Sequence, residues 1–259
     1  MVGCRSPEPF AFGVIADIQY ADKEDSGARH YRTSADRLAA CIDELNRHDL
    51  AFTIQLGDII DGNDTPEQTR EDLDKVVQLL DTLTMPTYHV VGNHCLAADR
   101  DTLSRQLKLD VFYYDFTVPE AQGWRFIVLD GNDNGYGLIG KGQLAWLGTK
   151  LSESRSKHEK VVIFCHFPLL EEAAPSHRLL NPDPVLQRIN ASGCVFAYFA
   201  GHDHAGGYAY QNGIHHVTVR GMVESDEQNA YAIIEVTPER LVEYGFGQEP
   251  DRMLEFGGK

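Results

Sequence analysis

No run in this sequence reaches the ~20 consecutive apolar residues of a membrane-spanning helix. The segment Met1 to Pro9 is polar and lacks the apolar core of a secretory signal. Nor is there any Cys-x-x-Cys pair. The cysteines, Cys4, Cys41, Cys95, Cys165 and Cys194, are odd in number and scattered, which argues against a disulfide framework and for reduced thiols in a cytoplasmic protein. Cys41, Cys165 and Cys194 read as small buried hydrophobes. Cations are scarce: 23 Lys and Arg face 39 Asp and Glu, a net charge of −16. Such a field repels a polyanion, so a nucleic-acid polymer is a poor partner. A small phosphorylated molecule held at a locally positive metal site remains compatible. Linkers, internal repeats and low-complexity stretches are absent too. At 259 residues, 42% hydrophobic and 24% charged, the chain reads as one folded domain over residues 1–259, with residues 1–9 a flexible N-terminal segment.

What is present is a series of polar clusters, each placed at the end of an apolar run: Asp17-Ile18-Gln19, Gly57-Asp58, Gly92-Asn93-His94, Cys165-His166 and Gly201-His202-Asp203-His204. Phe10 to Ala16 is continuous and apolar, the pattern of a strand buried on both faces, and it stops at Asp17. Leu38, Cys41, Ile42 and Leu45 recur at helical spacing, and the run Asp49 to Leu56 is a strand ending at Gly57-Asp58. Thr65-Pro66-Glu67 opens a second helix with a cap and a first-turn proline. Thr87 to Val91, Tyr113 to Val118, Arg125 to Asp130, Lys160 to Cys165 and Val195 to Ala200 read as strands, and Gly142 to Glu153 as a helix. Asn212-Gly213 marks a hairpin, followed by antiparallel strands Ala230 to Val236 and Arg240 to Gly245. Helices alternating with strands early and hairpins late predict an α/β fold, a four-layer α/β/β/α sandwich with two mixed sheets.

Hard oxygen donors and imidazoles at strand ends are the donor set of a two-metal centre, in which ions about 3.5–4 Å apart hold a hydroxide and stabilise charge on a phosphoryl group. Asp58 is the natural bridging carboxylate. Asp17, Gln19 and His204 complete one ion, and Asn93, His166 and His202 the other. His94 follows a ligand directly and projects past the metals, free to act as general acid, with Asp61 in place to hold its imidazole. With an amide oxygen at Gln19 the first ion's shell is three oxygen residues plus His204, which favours harder cations, manganese above all, with magnesium or iron(II) as alternatives, over zinc.

These clusters, in residue type and order, resemble the signature of the calcineurin-like metallophosphoesterase superfamily. The usual first motif there is Asp-x-His. Gln19 in its second position, with the segments 12–25, 55–62, 139–147, 201–208 and 250–252, resembles the subgroup of manganese-dependent ADP-ribose/CDP-alcohol diphosphatases. The resemblance covers nearly the whole chain and implies hydrolysis of the diphosphate link in ADP-ribose or CDP-alcohol-like nucleotides. It also implies the metallophosphoesterase sandwich and the same ligand and acid assignments. Cys95 stands where the superfamily usually places an acid, and Ser26-Gly-Ala-Arg29 is a short loop beside the subgroup's. The same centre also suits a phosphomonoesterase or a cyclic-nucleotide phosphodiesterase, since loops select the substrate. A non-catalytic scaffold on this fold predicts lost ligands, and none is missing.

Plainer readings stand beside these. Asp17 or Asp58 alone reads equally well as a turn former, and Asn93 as a left-handed turn residue. His30, His48, His89, His158, His177, His215 and His216 fall outside the clusters and read as surface or satisfied core residues. Arg29, Arg32 and Lys141 are candidate phosphate contacts or merely solvated cations. Tyr20, Tyr136 and Phe167 are candidate base-stacking residues or packing residues.

Overall fold

The computed structural model describes residues 8–171, 173–224 and 228–257. Cys4 and residues 1–7 of the expected flexible segment lie outside them. The first apolar run forms β1 (Phe10–Ile15), and the helical stripe behind it forms α1 (Ser34–Leu45), which buries Leu38, Cys41, Ile42 and Leu45. β2 (Phe52–Gln55) runs parallel to β1, and α2 (Pro66–Leu80) returns the chain to β3 (Thr87–His89), parallel to β2. At the head of α2 the Thr65 hydroxyl accepts from Gln68 N while the Gln68 side chain accepts from Thr65 N. These bonds satisfy two amides that have no partner within the helix.

A short 3-10 turn, His94–Ala98, leads into α3 (Arg100–Leu107). The second sheet takes β4 (Tyr114–Phe116), β5 (Trp124–Val128), β6 (Lys160–Phe164), β7 (Val195–Ala200), β8 (Gly207–Gln211) and β9 (Ile214–Thr218). Helices α4 (Lys141–Ser156) and α5 (Asp183–Ser192) connect its parallel strands. The chain then rejoins the first sheet as β10 (Ala230–Val236), β11 (Arg240–Gly247) and β12 (Arg252–Glu255). Strand order is β12-β11-β10-β1-β2-β3 in one sheet and β4-β5-β6-β7-β9-β8 in the other. Both are mixed: in the first, β1, β2 and β3 run parallel at one edge and β10, β11 and β12 add antiparallel at the other, and in the second a parallel centre is flanked by antiparallel β4 and β8.

Phenylalanines fill the space between the sheets. Phe12 stacks on Phe52 at 4.8 Å and meets Phe164 and Phe199 edge-on at 5.9 and 6.2 Å. On the outer faces α1, α2 and α3 cover the first sheet and α4 and α5 the second, so the four layers are α/β/β/α, as the pattern predicts. Burial on both faces is why β1, β6 and β7 read as unbroken apolar runs. Three elements carried no clear signal. α3 buries only Thr102, Leu103 and Leu107, α5 opens on Pro182 and Pro184 in what reads as a loop, and β12 is four residues long.

The architecture matters for the site because β1, β2, β3, β6 and β7 release the polar clusters beyond their carboxyl ends, toward one edge of the sandwich. The left-handed Asn212-Gly213 turn then folds β9 back so that the segment after it runs past His204.

Candidate metal centre

Asp17, Gln19, Asp58 and His202 all sit at positive φ, 49°, 42°, 50° and 66°. Left-handed backbone at a non-glycine residue costs roughly 1–2 kcal/mol. Four such residues around one point are strain that local propensity does not explain and that the surrounding sheets hold in place. Two glycines let the backbones close in. A Cβ at Gly57, φ 105°, would lie 2.5 Å from His166 Nδ1, and one at Gly92 would collide with the Asp58 carboxylate.

The seven sequence-predicted donors are brought together. His166 gives its Nδ1–H to the Leu56 carbonyl at 2.9 Å, so its Nε2 lone pair faces inward. That nitrogen lies 3.0 Å from Asp58 Oδ2, 3.1 Å from Asn93 Oδ1 and 3.0 Å from His202 Nδ1. Acceptors crowded together in this way, buried and with too few protons between them, could hold a cation. Alongside, His204 Nε2 lies 3.5 Å from Asp17 Oδ1 and 3.3 Å from Gln19 Nε2, and Gln19 Nε2 lies 3.4 Å from Asp58 Oδ2. Asp58 thus touches both groups. Asp17 Oδ1 and Gln19 Oε1 are buried without a hydrogen-bond partner, and a half turn of the amide would present the Gln19 oxygen to the same point. Orphaned oxygens beside a shared carboxylate fit a pair of hard divalent ions.

The electrostatics agree. Burial resists ionisation of Asp58, yet the imidazoles of His166, His94 and His202 hold its carboxyl well below the usual range. Burial likewise opposes charge on His204, but Asp17 and Glu224 push its pKa up to about 10. For His202, burial and the neighbouring His166 push the pKa down to about 2, leaving a neutral imidazole. The carboxylates that hold protons on His166 and His204 are the groups that would hold cations.

His94 stands at the mouth. Its Nδ1 lies 3.0 Å from Asp61 Oδ1 and 3.2 Å from the Asp61 carbonyl, and its amide donates to Asp58 Oδ1 at 2.7 Å. Despite burial, the hydrogen bond to Asp61 and the charge of Asp58 raise its pKa. Lys23 and Arg29 flank Asp61 at 2.5 and 3.5 Å. Cys95 is fully buried, and burial pushes its thiol up to about 12, so it acts as packing beneath the Asp58 loop rather than as a substitute acid.

Of the other candidates, Arg29 lies at the rim, between Asp61 and Glu224. Arg32 is exposed and paired with Asp22 and Glu24, and Lys141 is exposed on the first turn of α4. Tyr20 is buried with its hydroxyl on Lys75, and Phe167 is buried against His202 with ring centroids 4.5 Å apart. Tyr136 is half exposed, its hydroxyl 3.2 Å from His202 Nε2. His215 and His216 face opposite sides of β9, toward Glu255 and Tyr198. His177 departs from expectation. Its ring lies 5.5 Å from that of His202 and its Nδ1 3.3 Å from Asp203 Oδ1, at the edge of the site. Glu224, which holds His204 Nδ1 at 2.9 Å, carried no sequence signal, because it reaches the site only through the crossing after β9.

A family model described as calcineurin-like phosphoesterase matches residues 10–206. A manganese-dependent ADP-ribose/CDP-alcohol diphosphatase of Oryza sativa subsp. japonica is 32% identical, over 99% of this chain and 97% of that protein. One of the same name from Bos taurus is 30% identical, over 95% of this chain and 94% of that protein. The crystal structure of a dimetal phosphatase from Danio rerio is 28% identical and superposes with a TM-score of 0.86, over 96% of this chain and 99% of that one.

Proposed function

The chain belongs to the calcineurin-like phosphoesterases, and we propose that it hydrolyses the diphosphate link of ADP-ribose or CDP-alcohol-like nucleotides with two manganese ions. The observation that carries this reading is the shared position of Asp58, within 3.4 Å of both Gln19 and the His166 imidazole. Asp17, Gln19, Asp58 and His204 would hold one ion, and Asp58, Asn93, His166 and His202 the other. When bound, such a pair draws charge from phosphoryl oxygens and makes water acidic enough to attack near neutral pH. Gln19 supports manganese, because an oxygen donor replaces a softer imidazole.

The chain's own residues supply the proton. Asp61 occupies His94 Nδ1–H, so the transferable proton sits on Nε2, and a side chain 28% exposed can reach a leaving oxygen. The raised pKa favours the protonated imidazole that a general acid needs. Against the pull of burial, the His94 imidazole and Lys23 hold the Asp61 carboxyl below its usual range, and Lys23 and Arg29 add positive charge where a diphosphate would approach. That local charge matters in a chain of net charge −16.

We place the 259 residues in one catalytic domain. The described part has no helix long and apolar enough to cross a membrane, and Cys41, Cys95, Cys165 and Cys194 are free and buried, which supports a cytoplasmic location. Product analysis with ADP-ribose, CDP-choline, cyclic AMP and a phosphomonoester, each with manganese, tests the assignment. Nucleoside monophosphate from the first two is expected. Turnover confined to either of the others overturns it.

A further inference from the structure

We propose that the Tyr136 hydroxyl is a positioning group for His202 and sets the affinity of one ion position but not of the other. The inference rests on the reading of His202 as a ligand and adds a residue from a loop that contributes none of the seven donors. His202 turns Nδ1 toward His166 Nε2, 3.0 Å away, and therefore toward the Asp58 cluster. An imidazole that offers a lone pair at Nδ1 carries its proton on Nε2. That nitrogen lies 3.2 Å from Tyr136 Oη, so the N–H donates to the hydroxyl, which fixes both tautomer and ring rotation. The other neighbours, the Phe167 and His177 rings, pack against the imidazole at 4.5 and 5.5 Å between centroids.

Tyr136 is itself held in place. It sits between Gly135 and Gly137, at φ 106° and 65°, on a turn closed by Asn134 N donating to Leu138 O at 3.0 Å. Leu180 N donates to Gly137 O at 2.7 Å, and Gly140 N donates to Asp133 Oδ2 at 3.0 Å, so the turn is tied at both ends. The Tyr136 ring meets Phe167 edge-on at 5.4 Å. With 49% of the residue exposed, core packing accounts poorly for a tyrosine here. A hydroxyl aimed at a ligand accounts for it well.

Tyr136→Phe removes the hydroxyl and keeps the ring. Manganese titrated by calorimetry into metal-stripped protein should show one of two binding events weakened about 10–100-fold, with the other event and the melting temperature of the stripped protein unchanged. The manganese concentration for half-maximal activity should rise by the same factor. Two unchanged events overturn the proposal, and so do two events weakened equally, which would mark a general structural role. His202→Ala is the companion. It should abolish the same event that Tyr136→Phe weakens. Loss of neither event in His202→Ala would instead sink the ligand reading itself, and loss of the other event would detach Tyr136 from it.

Discussion

Replacing Asp61 by Asn isolates the charge behind the proposed acid. Asp61 Oδ1 lies 3.0 Å from His94 Nδ1, and asparagine offers a carbonyl of nearly the same shape, so the imidazole keeps its tautomer and loses only its charged partner. A hydrogen bond to a charged group contributes about 1.5–3 kcal/mol, and about 1.4 kcal/mol is one pKa unit. The His94 pKa should therefore fall. Asp61 raises that pKa in the folded protein against the pull of burial, and a general acid works only while protonated, so kcat/KM declines on the alkaline side of it. Loss of the carboxylate moves that alkaline limb to lower pH. On the alkaline side Asp61→Asn should be about 10–100-fold slower than wild type, and below both pKa values the two should converge. Lys23 and Arg29 are 31% and 35% exposed and can turn to water, so the melting temperature should move little. The assay is kcat/KM against pH on a diphosphate-linked nucleotide at saturating manganese. An unchanged alkaline limb, or a deficit of equal size at every pH, refutes the reasoning.

Other substitutions probe the remaining parts. His94→Ala should lose about 10²–10⁴-fold in kcat while still binding manganese; full activity would put the acid elsewhere. Gln19→His should raise the zinc-supported rate relative to the manganese-supported rate by about tenfold or more, and identical metal profiles would rule out a role for the amide. Glu243 concerns stability rather than catalysis. It is buried beside Arg252 at 2.7 Å, with Glu249 on the same guanidinium at 2.6 Å, and burial raises its carboxyl above the ordinary value of 4.5 despite Arg252. A folded-state pKa above the unfolded one contributes stability at low pH that is lost as pH rises past 4.5 toward the folded value. Glu243→Gln should flatten that slope in denaturant melts, and an unaltered slope would mean that Glu243 stays ionised.

Much of the molecule was legible in one dimension. Parallel strands buried on both faces must be apolar throughout, so β1, β6 and β7 announced themselves, and the abrupt polar residue after each marked where a side chain leaves the sheet. The cap at Thr65 and the Asn212-Gly213 turn were equally plain, because each satisfies a local backbone demand. Short or weakly amphipathic elements were not, since α3 and β12 exist through contacts with partners distant in the chain.

The donor inventory was therefore a property of the sequence: residue types that bind hard cations, each placed just past a strand, in an order that only one chemistry explains. Which of those side chains touch was decided by the tertiary structure. Glu224 behind His204, the ring of His177 beside His202, the Tyr136 hydroxyl on His202 Nε2 and the left-handed backbone at Asp17, Gln19, Asp58 and His202 arise where loops from two sheets meet. No local pattern encodes them. Their energies come from packing between segments far apart in the chain, and that packing also offsets the strain they carry.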